Sequence, residues 1–263
     1  MPHPPIMVPE VGRGREREAA RTLEGLSRLQ NSLAALPRKG RPDVLLVLSP
    51  HQPYAPGALF LNSASVLAGG LERFGAASVR FSLNTSPLVA ELGAYLEKAG
   101  LPCFISPVEN LTPDHGTSVP LYFLSRVFEN MPELIVASPI GLSPNQALEF
   151  GRALKGFSPA GFSLALLASG DLSHRLLPEA PAGFDPEGRA FDEALIESLE
   201  SGEAREMLSN WPPERLNKAG ECGFRSALAL LGLAGGPVEV LSYEGPFGVG
   251  YANALWINEK VAL

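Results

Sequence analysis

Hydrophobic positions along this chain follow two rhythms that alternate. From Arg15 to Leu36 the apolar residues Ala19, Leu23, Leu26, Leu29, Leu33 and Leu36 recur at three- and four-residue steps. Arg15, Glu16, Arg17, Glu18, Glu24 and Arg28 fall mostly on the other side. This predicts an amphipathic helix, ended by Pro37 and Gly40. The next segment has no such period. Val44 to Leu48 is an unbroken apolar run stopped by Ser49-Pro50, which predicts a central strand buried on both faces of a parallel sheet. The same sequence of apolar run and small, turn-forming residues returns at Leu134 to Ala137 before Ser138-Pro139, and at Leu164 to Ala168 before Ser169-Gly170. Three strands are thus expected to end alike.

Helical and extended stretches fill the intervals. Strands are predicted at Val79 to Leu83 and Cys103 to Ile105, with a helix between them from Pro87 to Lys98. A helix with Pro120 in its first turn carries Leu121, Phe123, Leu124, Val127 and Phe128 inward, and another runs from Pro144 to Leu154. Leu176 to Gly188 is rich in Pro, Ala and Gly and reads as an excursion before helices at Arg189 to Leu199 and Glu203 to Leu208. A helix opening near Glu221 and strands at Val238 to Tyr243 and Val249 to Ile257 complete the chain. The last strands suit antiparallel or mixed pairing. Strands alternating with helices predict an α/β fold, and no interval has linker composition, so one domain is expected over residues 1–263.

Composition narrows the function. An apolar content of 45% with 19% charged residues is that of a globular protein and excludes global disorder. The net charge of −7, with no cluster of Lys and Arg, argues against a nucleic-acid groove or an anionic membrane surface as partner. No apolar run approaches the length of a membrane span, and the start lacks a basic-then-apolar leader, so a cytoplasmic protein is expected. Cys103 and Cys222 are the only cysteines. They form no Cys-x-x-Cys pair, which indicates neither a disulfide framework nor a thiolate zinc site.

The chemistry lies in the histidines. There are four, His3, His51, His115 and His174; all fall in predicted loops, the last three at the ends of predicted elements. His3, between prolines and next to residue 1, is expected on position alone to belong to a floppy terminus. Two neutral imidazoles and one carboxylate can hold a divalent metal with positions left open, and Glu221 is a carboxylate at the start of a helix. Further histidines nearby could exchange protons near neutral pH. Spacing alone does not choose the ligands, and no His-Glu-x-x-His helix or EF-hand is present. Asp171 reads equally as a turn former, and Cys222 as a small buried helix residue. A serine hydrolase is a poor reading, because no Gly-x-Ser-x-Gly elbow exists.

Pro2-His3-Pro4-Pro5 with Val8-Pro9-Glu10-Val11-Gly12, then Ser49-Pro50-His51, Asp114-His115-Gly116, Ser169-Gly170-Asp171-Leu172-Ser173-His174, Gly220-Glu221-Cys222-Gly223 and Glu244-Gly245-Pro246-Phe247 resemble the class III extradiol dioxygenase superfamily, the LigB-like proteins. Within it they are most similar to the LigB-like domain of AmmeMemoRadiSam system proteins, themselves similar to Memo. The resemblance implies a single α/β domain with a mixed, largely parallel central sheet flanked by helices. It implies His3, His51 and Glu221 as metal ligands, with Fe2+ as the ion and Zn2+ or another divalent metal as alternatives. It implies His174 as an acid or base near the substrate, His115 as a further pocket histidine, and Asp171 as an acidic residue that orients His174 or lines the pocket. The implied activity is O2-dependent opening of a small aromatic diol. A non-catalytic metal or redox protein of the Memo kind is the alternative, with Cys222 as a candidate thiolate. Candidate macromolecular partners are a second copy of the chain and AmmeMemoRadiSam system proteins.

Overall fold

Residues Val44–Leu48 form the expected strand, all five buried and paired on both sides. The structure is a computed structural model that describes residues 1–106 and 110–258; the rest of the expected domain lies outside the described residues. In chain order the elements are α1 (Pro9–Gly12), α2 (Ala20–Ala34), β1 (Val44–Leu48), β2 (Leu59–Asn62), β3 (Val66–Leu71), β4 (Ala76–Asn84), α3 (Val89–Lys98), β5 (Cys103–Ser106), β6 (Asn110–Leu111) and α4 (His115–Leu124). There follow β7 (Glu133–Ser138), α5 (Pro144–Leu154), β8 (Leu164–Ala168), α6 (Pro186–Ser201), α7 (Arg205–Asn210), α8 (Pro213–Ala219), α9 (Phe224–Ala234), β9 (Glu239–Glu244) and β10 (Tyr251–Leu255).

The main sheet has the order β5-β2-β7-β1-β8. β7, β1 and β8 run parallel, with Leu45 opposite both Leu134 and Ala165. β2 is antiparallel to β7 and parallel to β5, so the sheet is mixed and mostly parallel. Alternate side chains of β1 leave opposite faces, and this divides the core. Val44, Leu46 and Leu48 pack with residues of α3, α5, α6 and α9, whereas Leu45 and Val47 pack with α2 and α4. Each buried leucine contributes about 1.5–3 kcal/mol of transfer free energy, so a strand buried on both faces fixes its register strongly. Two small sheets, β4-β3-β6 and the antiparallel pair β10-β9, complete the strands among the described residues. No helix among them is long and apolar enough to cross a membrane.

Several boundaries differ from expectation. Arg15–Ala19 is a tight 3-10 turn before α2, β4 starts three residues before Val79, and β2 and β3 carry no sequence signal strong enough to be read. β2 is four residues behind a Pro-rich loop, and β3 contains Gly69-Gly70, which weaken the alternation on which strand prediction rests. The helix expected to begin near Pro120 begins at His115, because the Asp114 side chain accepts from Thr117 N and caps it. Pro120 therefore sits inside α4, not in its first turn.

Candidate active site and metal centre

Parallel neighbours β1 and β8 end on the same side of the sheet, the usual place for ligands in open α/β folds. His51 stands three residues past β1, and the loop Ser169–His174 leaves β8 directly. Asp114 fastens the first of these loops to α4. Its Oδ1 accepts from Ser49 Oγ at 2.7 Å and from Thr117 N at 2.8 Å, and its other oxygen accepts from Gln52 Nε2. His51 and His115 are consequently stacked, ring centroids 4.1 Å apart and 29° between planes. Gly116 makes the approach sterically open: a Cβ there would meet Ser49 Oγ at 2.4 Å.

His3 reaches the same place from the start of the chain. It is not floppy, because the structure buries it to 1% exposure. Its backbone N donates to Asp171 Oδ1 at 2.9 Å, and the Met1 ammonium donates to Ala168 O at 2.8 Å. Its ring orientation follows from Pro120. An α-helical residue 120 would normally donate to the carbonyl of Gly116, but proline has no N–H. That carbonyl accepts instead from Ser169 Oγ at 2.5 Å. With its proton committed there, Ser169 Oγ accepts from His3 Nδ1 at 2.9 Å. His3 Nε2 is therefore left with its lone pair outward, the form that binds a metal.

That lone pair faces His51 Nε2 at 3.1 Å, and Cys222 Sγ lies 3.6 Å from His3 Nε2. The three donor atoms fall within 4.8 Å of one another and could hold a metal ion. Two nitrogens sharing a cation at about 2.1 Å lie roughly 3 Å apart when their bonds are near a right angle, so the donor set fits. Burial pulls the His3 pKa well below its ordinary value, helped by His51 and His115; burial likewise lowers His51 and His115. The three rings are thus held in the neutral, ligating state. The Cys222 thiol is pushed up by burial and by the Asp171 and Glu221 carboxylates, so it must shed a proton to ligate.

Cys222 is delivered by close contact between two loops. A Cβ at Gly170 would meet Gly223 Cα at 2.2 Å. With glycine at both positions, Asp171 O accepts from Gly223 N at 2.9 Å and Asp171 N donates to Cys222 Sγ at 3.3 Å. Glu221 faces elsewhere in this arrangement: its Oε2 accepts from Phe224 N at 2.7 Å, capping α9. Burial raises its pKa, opposed by that bond and by Arg225. Asp171 Oδ2 lies 3.7 Å from His3 Nε2 and 4.0 Å from His174 Nε2. Burial raises the Asp171 pKa, and the His3 N–H opposes this. His174 Nδ1 donates to Gly220 O at 2.7 Å; a carbonyl only accepts, so Nε2 is the basic nitrogen of this ring. The floor of the cup, His3 and Asp171, is buried, and His51 is exposed at its rim.

All four histidines gather in one place with Asp171 and Cys222, whereas the Glu221 carboxylate is bonded to Phe224 N and is not grouped with the donor atoms. Sequence reasoning gave no site role to Asp114 or Ser49, and weighed Ser169 only as a nucleophile in the rejected hydrolase reading. Asp114 has a readable signal, a capping residue three before Thr117. The role of Ser169 depends on the missing N–H of Pro120 in a distant helix.

The chain is 31% identical over 271 aligned residues to Protein CA_C1420 of Clostridium acetobutylicum, covering 95% of this chain and 55% of the relative. It thus spans about half the length of that curated relative. An uncharacterized protein of Escherichia coli K12, JW3007, whose crystal structure is known, has the same fold: TM-score 0.57 at 17% identity, covering 86% of this chain and 90% of that one. With its strand order and convergent loops in place, residues 1–253 match the family of the catalytic LigB subunit of aromatic ring-opening dioxygenase, and the chain belongs to that family.

Proposed function

We propose that this chain is a non-haem Fe(II)-dependent dioxygenase of the extradiol type, acting on a catechol-like or related small aromatic substrate with O2. The observation that supports this reading is the convergence of the His3 and His51 Nε2 atoms, 3.1 Å apart, in a cup that also holds His115, His174 and Asp171. A bound ion would supply Lewis-acid and one-electron redox chemistry. His3 and His51 would hold it, and on this reading Glu221, whose carboxylate accepts from Phe224 N in this structure, would be the carboxylate of the set. His174 takes a proton from a diol hydroxyl at Nε2, while Gly220 O fixes its tautomer and Asp171 stabilises the imidazolium that results. His115, stacked on His51, offers a second proton-exchanging ring at the rim.

One observation favours a second reading. Cys222, not Glu221, is the residue grouped with the two histidines, and a thiolate suits softer ions and redox work. On this reading the chain is a His2Cys metal or redox protein of the Memo type, working with AmmeMemoRadiSam system proteins and holding Zn2+ or another divalent metal. Anaerobic loading with Fe(II), followed by O2 uptake across a catechol panel, separates the two. The dioxygenase reading expects uptake that is lost in His51→Ala and Glu221→Ala and kept in Cys222→Ser. Tight metal binding that Cys222→Ser abolishes, with no uptake on any diol, would select the second.

A further inference from the structure

The loop that carries His174 is tied to the end of α8. Helix ends leave carbonyls without partners inside the helix, and two of these serve the loop. Ala219 O accepts from Ser173 Oγ at 2.7 Å. Gly220 O accepts from His174 N at 3.2 Å and from His174 Nδ1 at 2.7 Å. Behind Ser173 stands Asp192 of α6, which is fully buried. Its Oδ1 accepts from Ser173 N at 2.8 Å, and its Oδ2 accepts from Tyr243 Oη of β9 at 2.8 Å. Two glycines make room for this arrangement. A Cβ at Gly250 would run into Asp192 Oδ2, and one at Gly188 would run into Ser173 Oγ.

We propose that Asp192 is a positioning residue for His174: it holds Ser173 N, and through the ties of Ser173 and His174 to the end of α8 it keeps Nδ1 on Gly220 O and Nε2 toward Asp171. The inference rests on the reading of His174 as a proton-exchanging ring. Burying a carboxylate is unfavourable unless donors meet it. The two donors here come from a loop and from a strand, so Asp192 fastens the loop to α6 and β9 together. Ser173 keeps little freedom. Its N is held by Asp192, its O accepts from Gly250 N at 2.8 Å, and its Oγ donates to Ala219 O while accepting from Arg175 N at 3.0 Å. His174 follows directly and inherits that placement. Its N and Nδ1 then share one carbonyl, which selects the neutral tautomer with Nε2 unprotonated. Without the Asp192 acceptor, Ser173 N would be buried and unpaired, and the turn would gain by rotating that N–H toward another acceptor. The rotation would carry His174 off Gly220 O.

With only four histidines in the chain, each ring can be read separately. With isotopically labelled imidazole nitrogens, NMR of the full chain without added metal, at mildly alkaline pH, gives the tautomer of each ring, and His174→Gln assigns the signal of His174. The parent is expected to show His174 protonated at Nδ1. Asp192→Ala should turn this into a mixture of both tautomers while the signals of His51 and His115 stay in place. In the Fe(II)-loaded chain the same substitution should lower kcat on catechol about ten- to hundredfold, with KM changed by no more than about twofold. Asp192→Asn, which offers Ser173 N the same acceptor, should restore both readouts. Where Asp192→Ala does not fold, Ser173→Ala cuts the next link and should give the same mixture. An unchanged His174 in whichever variant folds would overturn the proposal, and so would an equal change in all four rings, the mark of general loosening. If the parent takes up no O2 on any diol, the dioxygenase reading fails by itself, and the tautomer of His174 still decides the role of Asp192.

Discussion

The hydroxyl of Ser169 decides which nitrogen of His3 faces the other histidines, because it donates to Gly116 O and can only accept from His3 Nδ1. Ser169→Ala should leave His3 buried but free its tautomer, and metal affinity should fall about ten- to hundredfold, as for other residues that orient a ligand. Calorimetric titration with Fe(II) under argon checks this; an unchanged affinity would remove Ser169 from the site. Asp192 acts at the same scale on the opposite loop. It is fully buried and accepts from Ser173 N and from Tyr243 Oη, both at 2.8 Å, and burial raises its pKa to about 7 against the pull of those two donors. The sign follows from proton counts. Between the ordinary carboxyl value and about 7 the native state holds more protons than the unfolded chain, so stability falls as pH rises through that window. Asp192→Asn keeps an acceptor for Ser173 and a partner for Tyr243, and its stability relative to the parent should grow from about pH 4 to about pH 7 and then level off. Urea denaturation at several pH values checks it, and parallel profiles for the two proteins would contradict it. Histidines at element ends were legible in the sequence because loop residues of this type have few structural uses. Ser169 was not, since its importance depends on a proline about fifty residues away in the chain.

Between elements, the decisive contact is that of the β8 loop with the turn before α9, where Gly170 and Gly223 meet backbone to backbone. Gly170→Ala places a methyl where the nearest atom is main chain and cannot swing aside. A loss of about 1–3 kcal/mol is expected, together with weaker metal binding as Cys222 withdraws from His3. Gly236→Ala is the control, because a Cβ there meets nothing within 4 Å. If urea midpoints and metal affinities of the two variants agree, the loop contact does not position the site. The elements themselves divide by how local their signals are. β1, β7 and β8 were legible as apolar runs with small residues behind them, and α5 by Pro144 at its start, where the structure adds a full capping box from Ser143 and Gln146. β2 and β3 were not legible, since their burial comes from neighbours distant in the chain. The start of α4 was misplaced because proline is a strong helix-start signal when read alone, and here the Asp114 cap outweighs it.

On the scale of the whole molecule, a cation in the cup would tie together segments that the unfolded chain keeps far apart: His3 and His51 are 48 positions apart, and His3 and Cys222 are 219. The unfolded chain cannot assemble that donor set cheaply, so binding energy becomes folding energy. At free metal a hundredfold above Kd the gain is about 2.7 kcal/mol, which for a chain of this size raises Tm by roughly 5–10 °C. Removal of metal by chelation should lower Tm by the same amount, and His51→Ala should blunt both effects. The pH dependence of this gain distinguishes the two ligand sets. The thiol of Cys222 is held protonated well above its ordinary range, and a cation bound through it must displace that proton. Affinity should then rise by up to tenfold per pH unit, and the Tm gain should widen from about pH 6 to about pH 8. The neutral histidines contribute little to that slope, because burial has already removed their protons. Glu221, a carboxyl raised by burial but free of its proton more readily than the thiol, would give a flatter profile at alkaline pH. Thermal unfolding of metal-loaded and chelated protein, compared across pH for the parent and Cys222→Ser, measures the slope directly. A steep slope lost in Cys222→Ser assigns the thiolate to the ion, and a slope unchanged by that substitution returns the third position to a carboxylate.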